Sequence, residues 1–159
     1  IVEDDYFILS QPQNGKIKIT ASNGVSAASG FLHYLREILQ SSDSWVGHNL
    51  DYAWSLTELP PLEEEIRKDR YFKWSYNFNP TAAGYSTVWW DWKDWEEHID
   101  YMAMRGVNIP LMIVGHEYVW AHTFMQFGVT MDDMEKFFSG PVYLPWQRMG
   151  NFRGLAGPL

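Results

Sequence analysis

The acidic residue with the clearest chemical potential is Glu117, which follows an apolar run at residues 109–114. If that run is a strand of an α/β barrel, Glu117 lies at the carboxyl end of the strand, where such barrels carry their active sites. The neighbouring His116 could supply a proton or a hydrogen bond there. Alternatively, Glu117 is an acidic residue in the first turn of a helix, where the helix dipole favours negative charge. The residue types alone leave both interpretations open.

Two further stretches are rich in tryptophan and polar side chains. Residues 88–92 place three indoles around Asp91, so two of the rings could line a sugar pocket, or Asp91 caps a helix while the indoles pack in the core. Residues 143–151 contain Trp146 and Asn151, just after a predicted strand at residues 142–144. There the indole could stack on a sugar and the amide could bind a hydroxyl group, or the stretch is an ordinary loop anchored by its tryptophan.

Composition excludes several other functions. The 159 residues are 46% hydrophobic, which predicts a folded chain. A formal net charge of −8 without a basic stripe argues against nucleic acid as a partner. No apolar run reaches the length of about 18 residues that a membrane span needs, and cysteine is absent, which excludes a disulfide framework. No metal or cofactor is expected, since the sequence lacks a phosphate-binding glycine loop and a His-Glu-x-x-His motif.

The elements that must position these residues begin with a small α/β domain at residues 1–58. A strand at residues 6–9, the turn dipeptide Asn14-Gly15 and an alternating strand at residues 16–20 predict a hairpin. A helix follows, with its apolar residues on one face: Val25, Ala28, Phe31, Leu32, Leu35, Ile38 and Leu39. Residues 59–70 contain Pro60-Pro61 and a run of charges, which together predict a solvated linker.

Residues 71–159 are predicted to alternate strands and helices. Strands are expected at residues 73–77, 107–114 and 142–144, and helices at residues 91–105 and 117–127. A further short helix should start at Thr130, where Asp133 completes a capping box. This order is typical of the first units of a parallel (β/α)8 barrel, which needs about 250 residues to close. The expected fold is therefore α/β, with a truncated barrel after the N-terminal domain.

The motifs also resemble a known family, glycoside hydrolase family 89, the alpha-N-acetylglucosaminidases. The resemblance covers nearly the whole chain. It is carried by these stretches: Tyr85-Ser86-Thr87-Val88-Trp89-Trp90-Asp91-Trp92, Trp95-Glu96-x-x-Ile99-Asp100-x-Met102-Ala103-x-x-Gly106-x-Asn108, Gly115-x-Glu117-x-x-Trp120, Phe137-Phe138-x-Gly140-Pro141 and Trp146-x-Arg148-Met149-Gly150-Asn151. The chain departs from the family in Ile113-Val114-Gly115-His116-Glu117, where relatives usually have Trp-Ser-Gly-Gln-Glu, and in Thr81, where some have cysteine.

The resemblance implies a retaining exo-glycosidase that removes terminal alpha-linked N-acetylglucosamine, as in heparan sulfate degradation. It implies a lysosomal or secreted location, a glycan partner, no cofactor, and an oligomer as a possibility for the full-length enzyme. Both catalytic glutamates are expected beyond Leu159, so no catalytic residue is expected in this chain. Residues expected at or near the sugar are Asn79, Tyr85, Glu117, Trp146 and Met149. The alternative is a carbohydrate-binding or adaptor module derived from the family without its catalytic half.

Overall fold

The chain folds into a mixed α/β structure with two compact units. The computed structural model describes residues 5–12 and 15–151. Unit 1 contains the described residues up to Asn77 together with Trp92–Pro110, and unit 2 contains Phe78–Asp91 and the described residues from Leu111 onward. Each unit is therefore assembled from two separate stretches of chain. The domain division predicted from the sequence, 1–58 and 71–159, remains a prediction.

Unit 1 is organised around an antiparallel sheet in the order β2-β1-β5. The predicted hairpin is confirmed: β1 (Tyr6–Ser10) pairs with β2 (Lys18–Ala21), and Leu9 faces Ile19. Asn14 of the predicted turn lies outside the described residues. Leu9, at the centre of the sheet, is completely buried. The alternating pattern located β2, whose residues are alternately exposed and half-buried.

The predicted linker contains a strand, so the expectation of an irregular segment at residues 59–70 was wrong in its second half. β5 (Ile66–Asp69) pairs antiparallel with β1, and Ile66 faces Leu9. Its charged side chains remain exposed, and Arg67 pairs with Asp69 at 2.7 Å. Charged residues are common on a strand at the edge of a sheet. A charge run therefore does not distinguish such a strand from a solvated loop.

The predicted first helix is confirmed. Asn23 accepts a hydrogen bond from the backbone N–H of Ser26 (2.9 Å) and starts α1 (Gly24–His33), which continues into a π-helical turn at Tyr34–Ile38. A β-carbon added to Gly30 would lie 3.0 Å from Ile19 and 3.1 Å from Phe7, so the absent side chain lets α1 approach the sheet. The core of unit 1 consists of Leu9, Tyr34, Leu35, Leu39 and Ala53.

Three further elements complete this part of unit 1, and the sequence pattern did not indicate them. They are the two strands of a small hairpin and one short helix: β3 (Ser42–Ser44), β4 (Gly47–Asn49) and α2 (Asp51–Ser55). The two strands pair antiparallel with Ser44 opposite Gly47. Strands of 3 residues are too short to show the period of two by which a strand is recognised.

A βαβ unit completes unit 1. β6 (Tyr76–Asn77) and β7 (Ile109–Pro110) pair in parallel, and α3 (Trp92–Met104) connects them. Both predicted strands exist but are much shorter than the expected 73–77 and 107–114. Pro110 lacks the N–H that would continue a ladder, and residues 111–114 carry no strand. In the described part of the chain the strands form no closed barrel.

Unit 2 is helical in the residues that the structure describes. Its helices are α4 (His116–Met125), α5 (Met131–Phe137) and α6 (Leu144–Arg148), with 3-10 turns at Ala82–Gly84 and Pro141–Tyr143. The predicted capping box is confirmed, since Thr130 and Asp133 bond reciprocally at the start of α5.

The predicted strand at residues 142–144 was wrong, because a 3-10 turn and the start of α6 occupy it. Pro141 and Pro145 stand at the first positions of these two helices, where the fixed φ of proline favours helix. No helix in the described ranges is both long and apolar enough to cross a membrane.

We expect His98 to make the stability of the fold depend on pH. This residue is 4% exposed on α3, its ring lies 5.5 Å from Tyr101 and 4.9 Å from Trp45, and burial lowers its pKa below the ordinary 6.5. The unfolded chain then binds a proton that the folded chain resists, so the free energy of unfolding should fall as pH drops from about 7.5 to 5.5. Urea denaturation at several pH values across this range measures the free energy of unfolding. Its change with pH should be smaller for His98→Phe than for wild type.

His33 provides a second test of the same effect. Burial lowers its pKa as well, so His33→Gln should also reduce the slope, and the double variant should have a flatter profile than either single variant. Slopes are compared rather than absolute stabilities, since Phe also changes packing. An unchanged slope in His98→Phe would contradict the assignment.

Candidate functional site

A buried ion pair in unit 2 joins Glu117 and Arg148. Arg148 donates from Nε to Oε1 and from Nη2 to Oε2 of Glu117, both at 2.7 Å. Each side chain is 10% exposed. Glu117 lies in the first turn of α4, after Gly115, whose φ of +85° turns the chain into the helix. The expectation of a first-turn acidic residue is therefore confirmed, and the carboxylate also has a bidentate partner.

A cavity of ≈ 270 Å³ adjoins this pair. Its walls include the ion pair and apolar side chains such as Val88 and Pro145. Two buried polar atoms in this wall, Thr87 Oγ1 and Arg148 Nη1, have no hydrogen-bond partner among the described residues. Buried polar groups are normally satisfied. These two atoms are exceptions to that rule among the described residues of the cavity wall.

A second feature of α6 is the placement of Trp146. Its indole packs over Gly84 so tightly that a β-carbon there would lie 2.5 Å from the ring. Tyr85 meets the same indole edge-on, with ring centroids 5.3 Å apart and planes at 75°. Tyr85 is 74% exposed, and Trp146 is partly buried. The structure thus brings together two of the five sugar-site residues predicted from the sequence.

Asn79 organises the turn that leads to Tyr85. Its Oδ1 accepts hydrogen bonds from the hydroxyl of Thr81 at 2.6 Å, from the N–H of Thr81 at 3.0 Å and from the N–H of Ala82 at 3.1 Å. These bonds fix the amide orientation, so that its NH2 group is the end directed away from the turn. Thr81 supplies the shortest of the three bonds, through its hydroxyl group.

The other candidate residues from the sequence differ in exposure and in the contacts they make. Met149 is 39% exposed and follows α6 directly. Trp89 and Trp92 are 77% and 69% exposed, which argues against core packing for these two indoles. Asn151 closes the turn after α6, since its N–H donates to the carbonyl of Trp146 at 2.9 Å. The predictions that Asn79, Tyr85, Glu117, Trp146 and Met149 bind sugar remain predictions.

Sequence reasoning missed Arg148 and Gly84. Both lie in the motifs that were singled out or beside them, but the pairing of Arg148 with Glu117 across 31 positions leaves no local signal. Gly84 could have been suspected because it stands just before an aromatic residue in a polar loop. Among the described residues, no three His, Cys, Asp or Glu side chains cluster closely enough to hold a metal ion.

Comparison with known proteins assigns the family. Residues 75–159 match the alpha-N-acetylglucosaminidase (NAGLU) tim-barrel domain, and residues 2–61 match the alpha-N-acetylglucosaminidase (NAGLU) N-terminal domain. The chain belongs to the alpha-N-acetylglucosaminidase family. The resemblance inferred from the sequence motifs is therefore confirmed.

Relatives of the family agree over almost the whole chain. The human alpha-N-acetylglucosaminidase is 36% identical over 155 residues, which is 98% of this chain and 20% of the human protein. A family 89 glycoside hydrolase from Clostridium perfringens, in complex with 2-acetamido-1,2-dideoxynojirmycin, has a TM-score of 0.91 at 36% identity and covers 100% of this chain. A further Clostridium perfringens structure, of CpGH89 with its substrate GlcNAc-alpha-1,4-galactose, matches equally well.

The chain covers only part of the length of these relatives. The chain spans 18% of the length of the two clostridial proteins and 20% of the human one. What this chain contributes must therefore be argued from its own residues.

We expect Gly84→Ala to displace Trp146. The new methyl group would meet the indole at 2.5 Å and the carbonyl oxygen of Val142 at 2.8 Å, and overpacking of this kind costs about 1–3 kcal/mol. Chemical denaturation measures the loss. Gly24→Ala is the matched control, because nothing lies within 4 Å of its added carbon. Equal stability of Gly84→Ala and Gly24→Ala would show that the indole does not rest on Gly84.

Proposed function

We propose that this chain forms part of a retaining exo-glycosidase that removes terminal alpha-linked N-acetylglucosamine from glycans such as heparan sulfate. Family membership supports the activity class, and the clostridial relative has been seen with GlcNAc-alpha-1,4-galactose as its substrate. A lysosomal or secreted location follows from the same resemblance. The proposal assigns to this chain the binding of the sugar rather than the bond cleavage.

The observation that carries the proposal is the pairing of Trp146 with Tyr85. An indole that is partly exposed and held edge-on by a phenol offers a flat apolar face beside a hydroxyl group. Pyranose rings present apolar C–H faces of matching size, and aromatic side chains combine apolar area with a polar handle. We infer that Trp146 and Tyr85 form one wall of the sugar pocket.

Asn79 and Met149 extend this wall chemically. Since Oδ1 of Asn79 is occupied by the turn, its NH2 group is the one left to donate to a sugar hydroxyl or to an acetamido carbonyl. Met149, which is 39% exposed, offers a polarizable thioether that adapts to apolar groups. Glu117 is the fifth of the residues expected at or near the sugar. It differs from the other four because both of its carboxylate oxygens accept hydrogen bonds from Arg148.

The catalytic carboxylates are proposed to lie outside this chain. Retention of configuration needs two carboxyl groups about 5–5.5 Å apart, one as nucleophile and one as acid and base. Glu117 is already held by two hydrogen bonds from Arg148, which leaves it poorly placed for either task. The parallel pair β6 and β7 with α3 between them supports the inference that the chain contributes the first units of the barrel.

Hydrolysis of an aryl alpha-N-acetylglucosaminide tests the proposal directly. A full-length enzyme that contains this chain should release the aglycone, and proton NMR of the first product should show the alpha anomer, because the mechanism retains configuration. The isolated 159-residue chain should show no turnover. No hydrolysis by the full-length protein would contradict the activity. Turnover by the isolated chain that a substitution within it abolishes would contradict the placement of the catalytic pair.

Trp146→Ala should reduce kcat/KM of the full-length enzyme by about 100-fold, the scale of losing a substrate-positioning contact. Trp54→Ala is the matched control, since Trp54 is 74% exposed in unit 1 and undergoes the same truncation. Steady-state kinetics with the aryl substrate measure both. Similar kcat/KM values for the two variants would argue that Trp146 does not face the sugar.

A further inference from the structure

The placement of Trp146 needs an explanation, because α6 is too short to be stable as an isolated helix. The helix has 5 residues, and isolated helices below about 12–15 residues are marginal in water. Its position must therefore come from contacts with the rest of unit 2. Whatever fixes α6 also fixes Trp146.

Two sets of side-chain hydrogen bonds hold α6, in addition to the packing of Trp146 over Gly84. Gln147 bonds the chain that precedes the helix: its Nε2 donates to the carbonyl of Phe137 and its Oε1 accepts from the N–H of Ser139, both at 2.6 Å. Arg148 bonds Glu117 on α4 through two parallel hydrogen bonds. A bidentate guanidinium–carboxylate pair specifies orientation as well as distance. The Arg148 contact therefore constrains both the distance and the orientation of α6 relative to α4.

Helix geometry links this contact to the indole. Residues two apart in an α-helix point about 200° apart around its axis, so Arg148 and Trp146 lie on nearly opposite sides of α6. A shift of the guanidinium rotates or tilts the short helix and moves the indole on the other side. Because the indole lies in close contact with Gly84 on one side and with Tyr85 on another, a displacement of α6 changes how Trp146 meets Tyr85.

We propose that Glu117 and Arg148 are positioning residues of the sugar pocket, and that Glu117 acts on the substrate through Trp146 rather than by touching it. The proposal rests on the proposed function of this wall. It is supported by the burial of Glu117, which is 8% exposed, and by the use of both its oxygens by one guanidinium. Trp146 and Tyr85 are then the groups that meet the sugar.

A double-mutant cycle in the full-length enzyme separates the three possible roles of Glu117. We expect Glu117→Gln to lower kcat/KM about tenfold in the wild-type background and by less than about threefold when Trp146 is already Ala, since residues that act as a unit are not additive. The same full loss in both backgrounds would show that Glu117 touches the sugar independently. An unchanged kcat/KM with a lower melting temperature would show a purely structural role. Either result overturns the proposal.

A control and a second variant guard against loss of folding. Asp133→Asn makes the same carboxylate-to-amide change in the capping box of α5, and it should lower the melting temperature with kcat/KM unchanged where the protein is folded. Glu117→Asp retains the charge but shortens its reach, so it should fold even if Glu117→Gln does not. It should show the same dependence on Trp146 with a smaller loss. Additive losses for Glu117→Asp and Trp146→Ala would also overturn the proposal.

A readout independent of activity distinguishes failure of this inference from failure of the proposed function. With 5-fluorotryptophan incorporated, the fluorine resonance of Trp146 is assigned by its loss in Trp146→Phe. It should shift or broaden in Glu117→Asp or Glu117→Gln and remain in place in Asp133→Asn. If the full-length protein hydrolyses no alpha-N-acetylglucosaminide, the proposed function fails while this measurement still tests the coupling. An unmoved Trp146 resonance in a folded Glu117 variant would refute it.

Discussion

One buried ion pair joins the short helix α6 to α4 in unit 2, the bidentate contact between Glu117 and Arg148. Removing one partner from such a pair leaves an uncompensated charge out of water, which typically costs about 3–5 kcal/mol. A pair of apolar residues could stabilise the same contact as well, but it would tolerate sliding. The guanidinium fork does not, because its two hydrogen bonds are satisfied together in one orientation. The ion pair thus fixes the orientation of α6, which so short a helix beside the exposed Tyr85 would not fix by itself.

The rest of the wall follows the same principle of fixing short segments by hydrogen bonds and close contact. Asn79 holds its turn through three bonds to one oxygen, and Gly84 admits the indole by having no side chain. Neither device belongs to a long regular element. Binding residues are often carried by such segments, because a rigid scaffold can present them without burying their polar backbone.

How far the sequence predicts this fold varies with the range of the interactions involved. The β1–β2 hairpin, α1 and the Thr130 capping box were predicted because periodicity and capping are local. The strand at Ile66–Asp69 was missed, since charged residues suit an edge strand and a linker equally. Residues 142–144 were wrongly assigned to a strand although two prolines flank them at helix-start positions.

The candidate site divides in the same way. The motifs predicted a set of sugar-binding residues, and that set remains a prediction. They did not predict that Glu117 would be occupied by Arg148, because that pairing depends on tertiary structure across 31 positions. The edge-on contact of Tyr85 with Trp146 could not be predicted either, because the separation of two residues in the sequence does not determine how their rings are oriented.

The chemistry of the proposed wall indicates how its interactions would serve a glycosidase. Its sugar-facing groups are an indole, a phenol, an amide and a thioether, none of which carries charge at neutral pH. Neutral groups of this kind bind the sugar in the ground state and in the transition state to a similar degree, and uniform binding does not raise kcat. They contribute to rate when they hold the ring in a reactive geometry, and a displacement of about 1 Å can cost about 100-fold. A wall made of neutral groups therefore depends on rigid support. In the proposed site this support comes from the buried pair of Glu117 and Arg148, whose charges neutralise each other and do not bind the substrate.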